Sequence, residues 1–594
     1  MTSDSEPLVH PRNWDENGAK TTGRHFYEDE DERTYEKSEL VHVAFGEEPD
    51  VDEEGADRDF LPRFSWKKLW MFAGPGFLMS IAYLDPGNIE SDLQSGATAG
   101  YALLWLLMWA TVMGLFTQKL AARLGVATGS HLAELCREEY PVWARMVLWI
   151  MTEIAIIGAD VQQVIGSAIA FRILSNGWIP LWAGVLITGV DGFLFLFLEN
   201  FGVRKLELLF CIFIGIMALS FAWMFGETNP DVKAVASGLI FPSVPRTAVD
   251  KAVGIVGAVI MPHNIFLHSA LVQSRDIDIS KKSRVREALR YYNIESSVAL
   301  FITFLINLCI MAIFAKAFHG KEEAGVIGLA NAGEYLQKRY GGGFFPILYI
   351  WAIGLLAAGQ SSTMTGTYTG QFVMTGFLNL RVKKWIRVLV TRAVAIVPTI
   401  IVALIFDSSA NELDNLSEWL NVLQSIQLPF ALIPLLCLVS NARVMGVFVI
   451  TKVTKVIAWT IAVLVISINM YLLLVTVLSR LANSTPIIVI LTVIILFYVC
   501  FVIYLVLDPA QEDGNWVYFK RTFLSSRSAI FLTYYDSYMN FHSFNEYSLD
   551  KSTPLISILK SVFALILYSC NVGLCSDHLL FVNWFLELSW CLLR

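Results

Sequence analysis

Apolar residues fall in long blocks separated by short polar stretches. Crossing the roughly 30 Å hydrocarbon core of a bilayer takes about 20 residues of helix. Twelve windows reach that length: residues 66–97, 101–124, 144–174, 178–198, 204–226, 251–274, 291–318, 343–377, 385–406, 416–440, 446–479 and 486–507. Each is predicted to be a membrane-spanning helix, which makes the chain an all-α polytopic membrane protein. Two of the windows are interrupted. The first contains Asp85-Pro86-Gly87-Asn88 and the sixth contains Met261-Pro262-His263-Asn264. Proline lacks the N–H that an α-helix needs, and glycine carries the largest backbone entropy loss. Freed backbone groups find no water in a bilayer, so such breaks persist only where protein buries them or they line a cavity. One broken helix in each half of a chain points to a transport site near the membrane midplane.

Composition agrees. The chain has 594 residues, of which 55% are hydrophobic and 16% charged, against roughly a quarter charged in soluble proteins. The net charge of −8 reflects acid concentrated in residues 1–63, including Glu28-Asp29-Glu30-Asp31-Glu32 and Asp52-Glu53-Glu54. That segment is expected to be a disordered cytoplasmic N-terminus. It has no apolar signal-peptide core, so the first membrane helix is expected to direct insertion. Residues 64–507 form the membrane domain. Residues 508–594 are expected to be a cytoplasmic tail whose apolar patches, near 555–570 and 579–593, lie on the membrane surface, form a thirteenth span or play no part in transport, their shortness favouring the first. The eight cysteines show no CxxC or zinc spacing and read as small buried hydrophobes.

Loop charge gives orientation. Arg275, Lys281, Lys282, Arg284, Arg286 and Arg290 follow the sixth window. Arg381, Lys383, Lys384 and Arg387 follow the eighth, and Lys67 and Lys68 precede the first. With twelve crossings these three places share one side, expected to be the cytoplasm, with both termini there. The sequons at Asn483 and Asn415 then face outward as candidate glycosylation sites.

The chemistry gathers at the breaks. Asp85 is an acid at membrane depth, which marks function or a helix cap. Asn88 adds a neutral oxygen. Met261 precedes the second proline. A thioether beside a carboxylate and an amide favours a transition metal over calcium or magnesium, which want oxygen only. An unwound turn before Met261 exposes the carbonyl of Ala258. Asp85, Asn88, Ala258 and Met261 are therefore the candidate metal ligands. His263 and His268 follow on the same half-helix and can pass or sense protons, or serve as hydrogen-bonded structural residues. Glu153 and Asp160, seven residues apart, share a face of the third helix, and Arg392 lies in the ninth. A track from Asp85 through Asp160 to Arg392 suits proton movement, although a static ion-pair network would use the same residues. The small-residue run Gly359–Gln371 reads as a packing helix, with Gln360 a candidate pathway group. Asn421, Gln424 and Gln427, spaced by three before Pro429, form a candidate polar lining.

Asp85-Pro86-Gly87-Asn88, Met261-Pro262-His263 and the Gly359–Gln371 run resemble the NRAMP family of proton-coupled divalent metal transporters, with the animal members as the expected nearest branch. The likeness covers roughly residues 64–507. It implies a LeuT-like fold, in which spans one to five and six to ten are inverted repeats followed by two further helices. It also implies metal held by Asp85, Asn88, Met261 and the Ala258 carbonyl, with Asn421 joining in some conformations. Asp85 would serve as both ligand and proton acceptor, and Glu153, Asp160 and Arg392 would form the proton track. Fe²⁺ or Mn²⁺ would travel inward with H⁺, with no permanent cofactor, no nucleic-acid partner and a monomer sufficient for transport. Two departures stand out. Family members often carry Glu where this chain has Gln163, and close relatives tend to carry Glu where it has Thr375.

Other readings use the same scaffold. An amino-acid carrier would need no methionine beside the acid, and the branches that move magnesium or aluminium lack it. A metal sensor would carry a large soluble domain, which the tail of about 85 residues does not supply. No paired catalytic aspartates, zinc motif or nucleophile elbow marks an enzyme. Both the plasma membrane and acidified endosomes supply a proton gradient, so either is an expected home.

Overall fold

In the computed structural model, the structure describes residues 41–42, 64–199, 203–341, 346–379, 384–406, 410–481 and 485–507. Asn483 and the tail from 508 lie outside them, as do the side chains of Arg392 and Asn415. Within 1–63, where disorder is expected, the described residues hold one short strand, β1 (Val41–His42).

The first span is three helices: α1 (Trp66–Phe72), α2 (Pro75–Ile81) and α3 (Pro86–Ala99). The break at Asp85 was expected; the break between α1 and α2 was not. It falls at Gly74, whose φ of 146° is closed to other residue types, with Pro75 beginning the next helix. Then come α4 (Leu104–Thr128), the short α5 (Leu132–Glu139), α6 (Val142–Leu174), α7 (Leu181–Glu199), α8 (Val203–Thr228) and α9 (Val232–Ile240). The sixth span is α10 (Val249–Val259) and α11 (Pro262–Leu271), followed by β2 (Arg275–Asp276), which pairs in parallel with β1.

The second half continues with α12 (Lys282–Phe318), α13 (Leu329–Tyr340), α14 (Ile347–Leu378), α15 (Lys384–Phe406), α16 (Ala410–Gln427), α17 (Pro429–Ser440), α18 (Ala442–Met445), α19 (Lys452–Leu481) and α20 (Thr485–Leu507). Helix thus stands at all twelve expected spans; the first and sixth are broken, and the tenth is divided at Leu428. Seven helical runs among the described residues are long and apolar enough on their own to cross a membrane.

Close packing sets the frame around the breaks. Helices α6 and α14 run against each other along much of their lengths. A side chain at Gly359 would strike Ser167 Oγ and the Gln163 carbonyl, and one at Gly366 would strike Asp160 Oδ1. The small-residue run is therefore a packing surface, as expected, and it also presses directly on the acidic face of α6. Gly166 of α6 likewise admits the ring of Pro86, which holds the first break against that helix.

Candidate metal site and its two mouths

Each break frees carbonyls for a reason written in the sequence. In a continuous helix the carbonyl of residue i accepts from the N–H of i+4. For Ala258 that partner is Pro262, which has no N–H, and for Ala82 it is Pro86. Helix α10 ends at Val259, and Met261 is extended with ψ of 136°. Ala82 is a residue the sequence reading overlooked, although the same i+4 rule identifies it.

Asp85 is the N-cap of α3. Its Oδ1 accepts from Asn88 N and from Asn88 Nδ2, both at 2.8 Å. The capping alternative therefore holds, but not at an interface, because Asp85 is 0% exposed. Capping uses only one carboxylate oxygen. Asp85 Oδ2 and Asn88 Oδ1 are buried and make no hydrogen bond among the described residues. Met261 is also buried. Buried polar atoms are nearly always satisfied, so two adjacent orphans call for an explanation. Among the described residues no three His, Cys, Asp or Glu cluster into a metal-holding group. One acid with neutral oxygen and sulfur donors suits a cation that must leave again, since conduction needs binding weak enough for release.

The structure brings Asn421 and Gln424 to the first break through Gln162, which the sequence reading missed. Gln162 Nε2 donates to Asn421 Oδ1 and to the Ser417 carbonyl, both at 2.9 Å, while its Oε1 accepts from Gln424 Nε2 at 2.8 Å. A side chain at Gly87 would strike that amide. On the sixth span, a side chain at Gly257 would strike Ser425 Oγ. Helix α16 thus touches both breaks. The neighbouring Gln163 stands beside the Asp85 carboxylate, and both Asp160 and Gln163 face Gly366. So Gln163 lies between the site and Asp160, at the position where the resemblance expects Glu. Further along α6, Glu153 is half-buried and accepts from Trp149 Nε1 at 3.0 Å. Asp85, Gln163 and Asp160 thus follow one another along the face of α6 that meets the first break and Gly366. The expected end of the track at Arg392 is placed only to the extent that α15 contains that residue.

His263 and His268 are buried on α11. Neither His268 ring nitrogen makes a hydrogen bond among the described residues. Gln360 is buried on α14 and its neighbour is Asp191 of α7. Asp191 and Asp92, the latter seven residues past Asp85 on α3, are further acids at membrane depth. An ionisable residue inside an apolar window was the available signal for both.

On the Arg275 side of the site, the helix ends are tied by a network built on the Gly74 break. Arg275 Nη2 donates to Glu207 Oε1 and to the Ala73 carbonyl, both at 2.7 Å, and Arg275 Nε donates to the Met71 carbonyl at 3.1 Å. Glu295 Oε1 accepts from Gly74 N, Gly76 N and Phe77 N at 2.5, 2.9 and 3.3 Å. A cation thus satisfies the C-terminal carbonyls of α1 and an anion the N-terminal amides of α2, each charge matching its helix end. Phe72 stacks on Tyr291 at 5.3 Å, and Lys68 pairs with Glu287 at 2.6 Å. Strand β2, which begins at Arg275 itself, ties β1 to the same point. On the opposite side, α3, α10 and α16 converge over the site and are joined through Lys251, Gln94 and Glu418.

A polytopic helical protein with two broken helices, and buried unsatisfied oxygens at the first of the breaks, is a membrane transporter of the broken-helix class. The chain belongs to the Nramp family: residues 76–475 match the family described as "Natural resistance-associated macrophage protein-like". It is 63% identical over 477 residues to "Metal transporter Nramp4" of Arabidopsis thaliana, covering 80% of this chain and 93% of the relative. It is 65% identical over 447 residues to "Metal transporter Nramp3" of the same plant, covering 75% and 88%. Among solved structures it is similar to the manganese transporter of Eremococcus coleocola, at 30% identity and a TM-score of 0.67, covering 77% of this chain and 99% of that one. The family expectation holds. The expected animal branch is corrected, since these close relatives are plant proteins. The motifs at the breaks mark the family rather than the branch.

Proposed function

We propose that this protein moves divalent transition-metal ions, Mn²⁺ and Fe²⁺, across its membrane towards the cytosol by alternating access, together with protons. The observation that carries the reading is the pair of buried orphan oxygens, Asp85 Oδ2 and Asn88 Oδ1, at one break, with Met261 and the proline-freed Ala258 carbonyl at the other. A dication supplies what those atoms lack. The names of the relatives, metal and manganese transporters, support the same cargo.

Asp85 links metal to proton. A carboxylate that faces both is neutralised by either, and the field of a bound dication favours loss of the proton. The released proton has a path past Gln163 to Asp160. Gln163 can hydrogen-bond along that path but cannot itself release a proton, so coupling here rests on Asp85 and Asp160. A membrane potential negative inside then adds about 2.3 kcal/mol per charge per 100 mV to uptake.

The test is Mn²⁺ uptake into vesicles holding the purified protein, at external pH 5.5 and 7.5, with Asp85→Ala beside the wild type. Uptake should rise at acid pH and vanish in the variant. Uptake indifferent to pH would remove proton coupling. Mn²⁺ binding without uptake would turn the reading to a sensor. Met261→Ala should leave Mn²⁺ uptake partly intact while admitting Ca²⁺ or Mg²⁺; unchanged selectivity would remove the thioether argument.

A further inference from the structure

We propose that Lys251 is the latch of the mouth between α3, α10 and α16, opening and closing the site on the side away from Arg275. The proposal rests on the transport reading above and adds a residue to it. Lys251 stands two residues after the start of α10. Its Nζ donates to Gln94 Oε1 of α3 at 2.7 Å and pairs with Glu418 Oε1 of α16. Asp250 Oδ2 stands 3.8 Å away. The bonds continue: Gln94 Nε2 donates to Glu90 Oε1, and Glu90 Oε2 accepts from Leu329 N, at the start of α13, at 2.9 Å. One chain of side chains therefore spans the mouth from α16 to α13, and Lys251 is the cation within it.

The three helices that Lys251 joins are three that carry the site. Helix α3 bears Asn88, α10 bears Ala258 and α16 bears Asn421. Helices α3 and α10 are the halves beyond the two breaks, where Pro86 and Pro262 have removed the bonds that would hold them rigidly to α2 and α11. Room is left between them one turn above the site, because a side chain added at Gly254 would meet only Ser91 Oγ, at 3.8 Å. The polar chain ties the two halves at their outer ends.

Charge gives the latch its sense. A lysine at the mouth repels a dication, and Glu418 neutralises it when the mouth is shut. When α10 and α16 part, Lys251 keeps Asp250 and Glu418 is released as a free carboxylate at the rim, where it attracts the incoming cation. Glu418 is 37% exposed and Lys251 20%. Such a half-solvated pair is weakly held, as a latch broken in every cycle must be.

The experiment uses the full chain, purified in detergent, with Gly254→Cys as reporter. Labelling of the introduced thiol by a charged methanethiosulfonate reagent is followed by peptide mass spectrometry, so the native cysteines do not interfere. Adding Lys251→Ala should speed labelling at position 254 by at least about fivefold. Adding Glu418→Gln, which removes the charge but keeps the shape, should do the same, and the exchange Lys251→Glu with Glu418→Lys should restore the slow rate. Buried Cys136 reports unfolding; if it reacts in the Lys251→Ala protein, the Glu418→Gln protein supplies the reading. Equal rates with and without the latch, or an exchange that labels as fast as the single variants, would overturn the proposal. No metal flux is measured here. Faster labelling in a protein that moves no Mn²⁺ would leave the latch standing and remove the transport reading.

Discussion

The two sides of the site are tied together by different physics. On the Arg275 side the closing groups are deeply buried: the Arg275 side chain is 0% exposed and that of Glu207 7%. Most of the bonds there run from a charged side chain to freed backbone, so the charges serve the broken helix as well as each other. On the Lys251 side the latch joins side chain to side chain, half in water, and the bonds of Lys251 satisfy no freed backbone group. A fully desolvated charge left without its partner is far more destabilising than an exposed one. The Arg275 mouth therefore opens only by a concerted change that finds new partners for several groups. The Lys251 mouth can open by breaking one pair. The arrangement favours a resting protein that samples the Lys251 side more readily.

The sharpest way to break this comparison is Arg275→Ala. It removes the buried cation that pairs with Glu207 and donates to the carbonyls of Met71 and Ala73, and the loss should be on the order of 3–5 kcal/mol. A large fall in thermal midpoint is expected, and an unchanged one would mean the network is not what closes that side. Gly74→Ala comes next. It forces φ of 146° on a residue with a side chain, worth about 1–3 kcal/mol, and drives a Cβ into Glu207. The protein should be less stable than wild type and more open on that side, as read by thiol labelling of a cysteine in place of Ala73.

Lys68→Met tests the rim of the same network. Its partner Glu287 is buried while Lys68 is 19% exposed, so leaving that carboxylate without its cation should cost about 1–3 kcal/mol, visible as a shift in the denaturation midpoint. The smallest change is Glu418→Gln, which should cost less than about 1 kcal/mol in stability while still accelerating thiol labelling at position 254. Raising the salt concentration sharpens the contrast. Screening reaches exposed pairs and leaves buried ones nearly untouched, so salt should speed labelling at 254 and leave the Arg275 side unchanged. Equal salt effects on both sides would erase the distinction.

The sites of chemistry were legible where covalent structure dictates them. Pro86 and Pro262 lack an N–H wherever they are, so the breaks, the freed carbonyl of Ala258 and the value of Asp85, Asn88 and Met261 followed from spacing. The same rule reached Ala82 as soon as it was applied to the first span. Gln162 was invisible because nothing marks a glutamine in an α6 pattern; its meaning comes from Asn421 and Gln424, more than 250 residues away. Glu207, Arg275 and Glu295 carried a weak signal as charges near apolar windows. Only their meeting at the Gly74 break shows that they complete a helix cut in two.

What the sequence determined by itself was the local and the periodic: twelve apolar lengths, two helix breaks, and the residue types placed at them. These depend on backbone chemistry and on the thickness of a bilayer, which act on each stretch separately. What only the tertiary structure decided was the pairing across distance. It placed Gln163 against Asp85, put Lys251 between Gln94 and Glu418, made α1 a separate helix held by Arg275 and Glu295, and left one oxygen of Asp85 and one of Asn88 without a partner among the described residues. Such facts depend on which helices pack together. In a membrane that is settled by close approach at small residues and by the demand that every buried charge find its match.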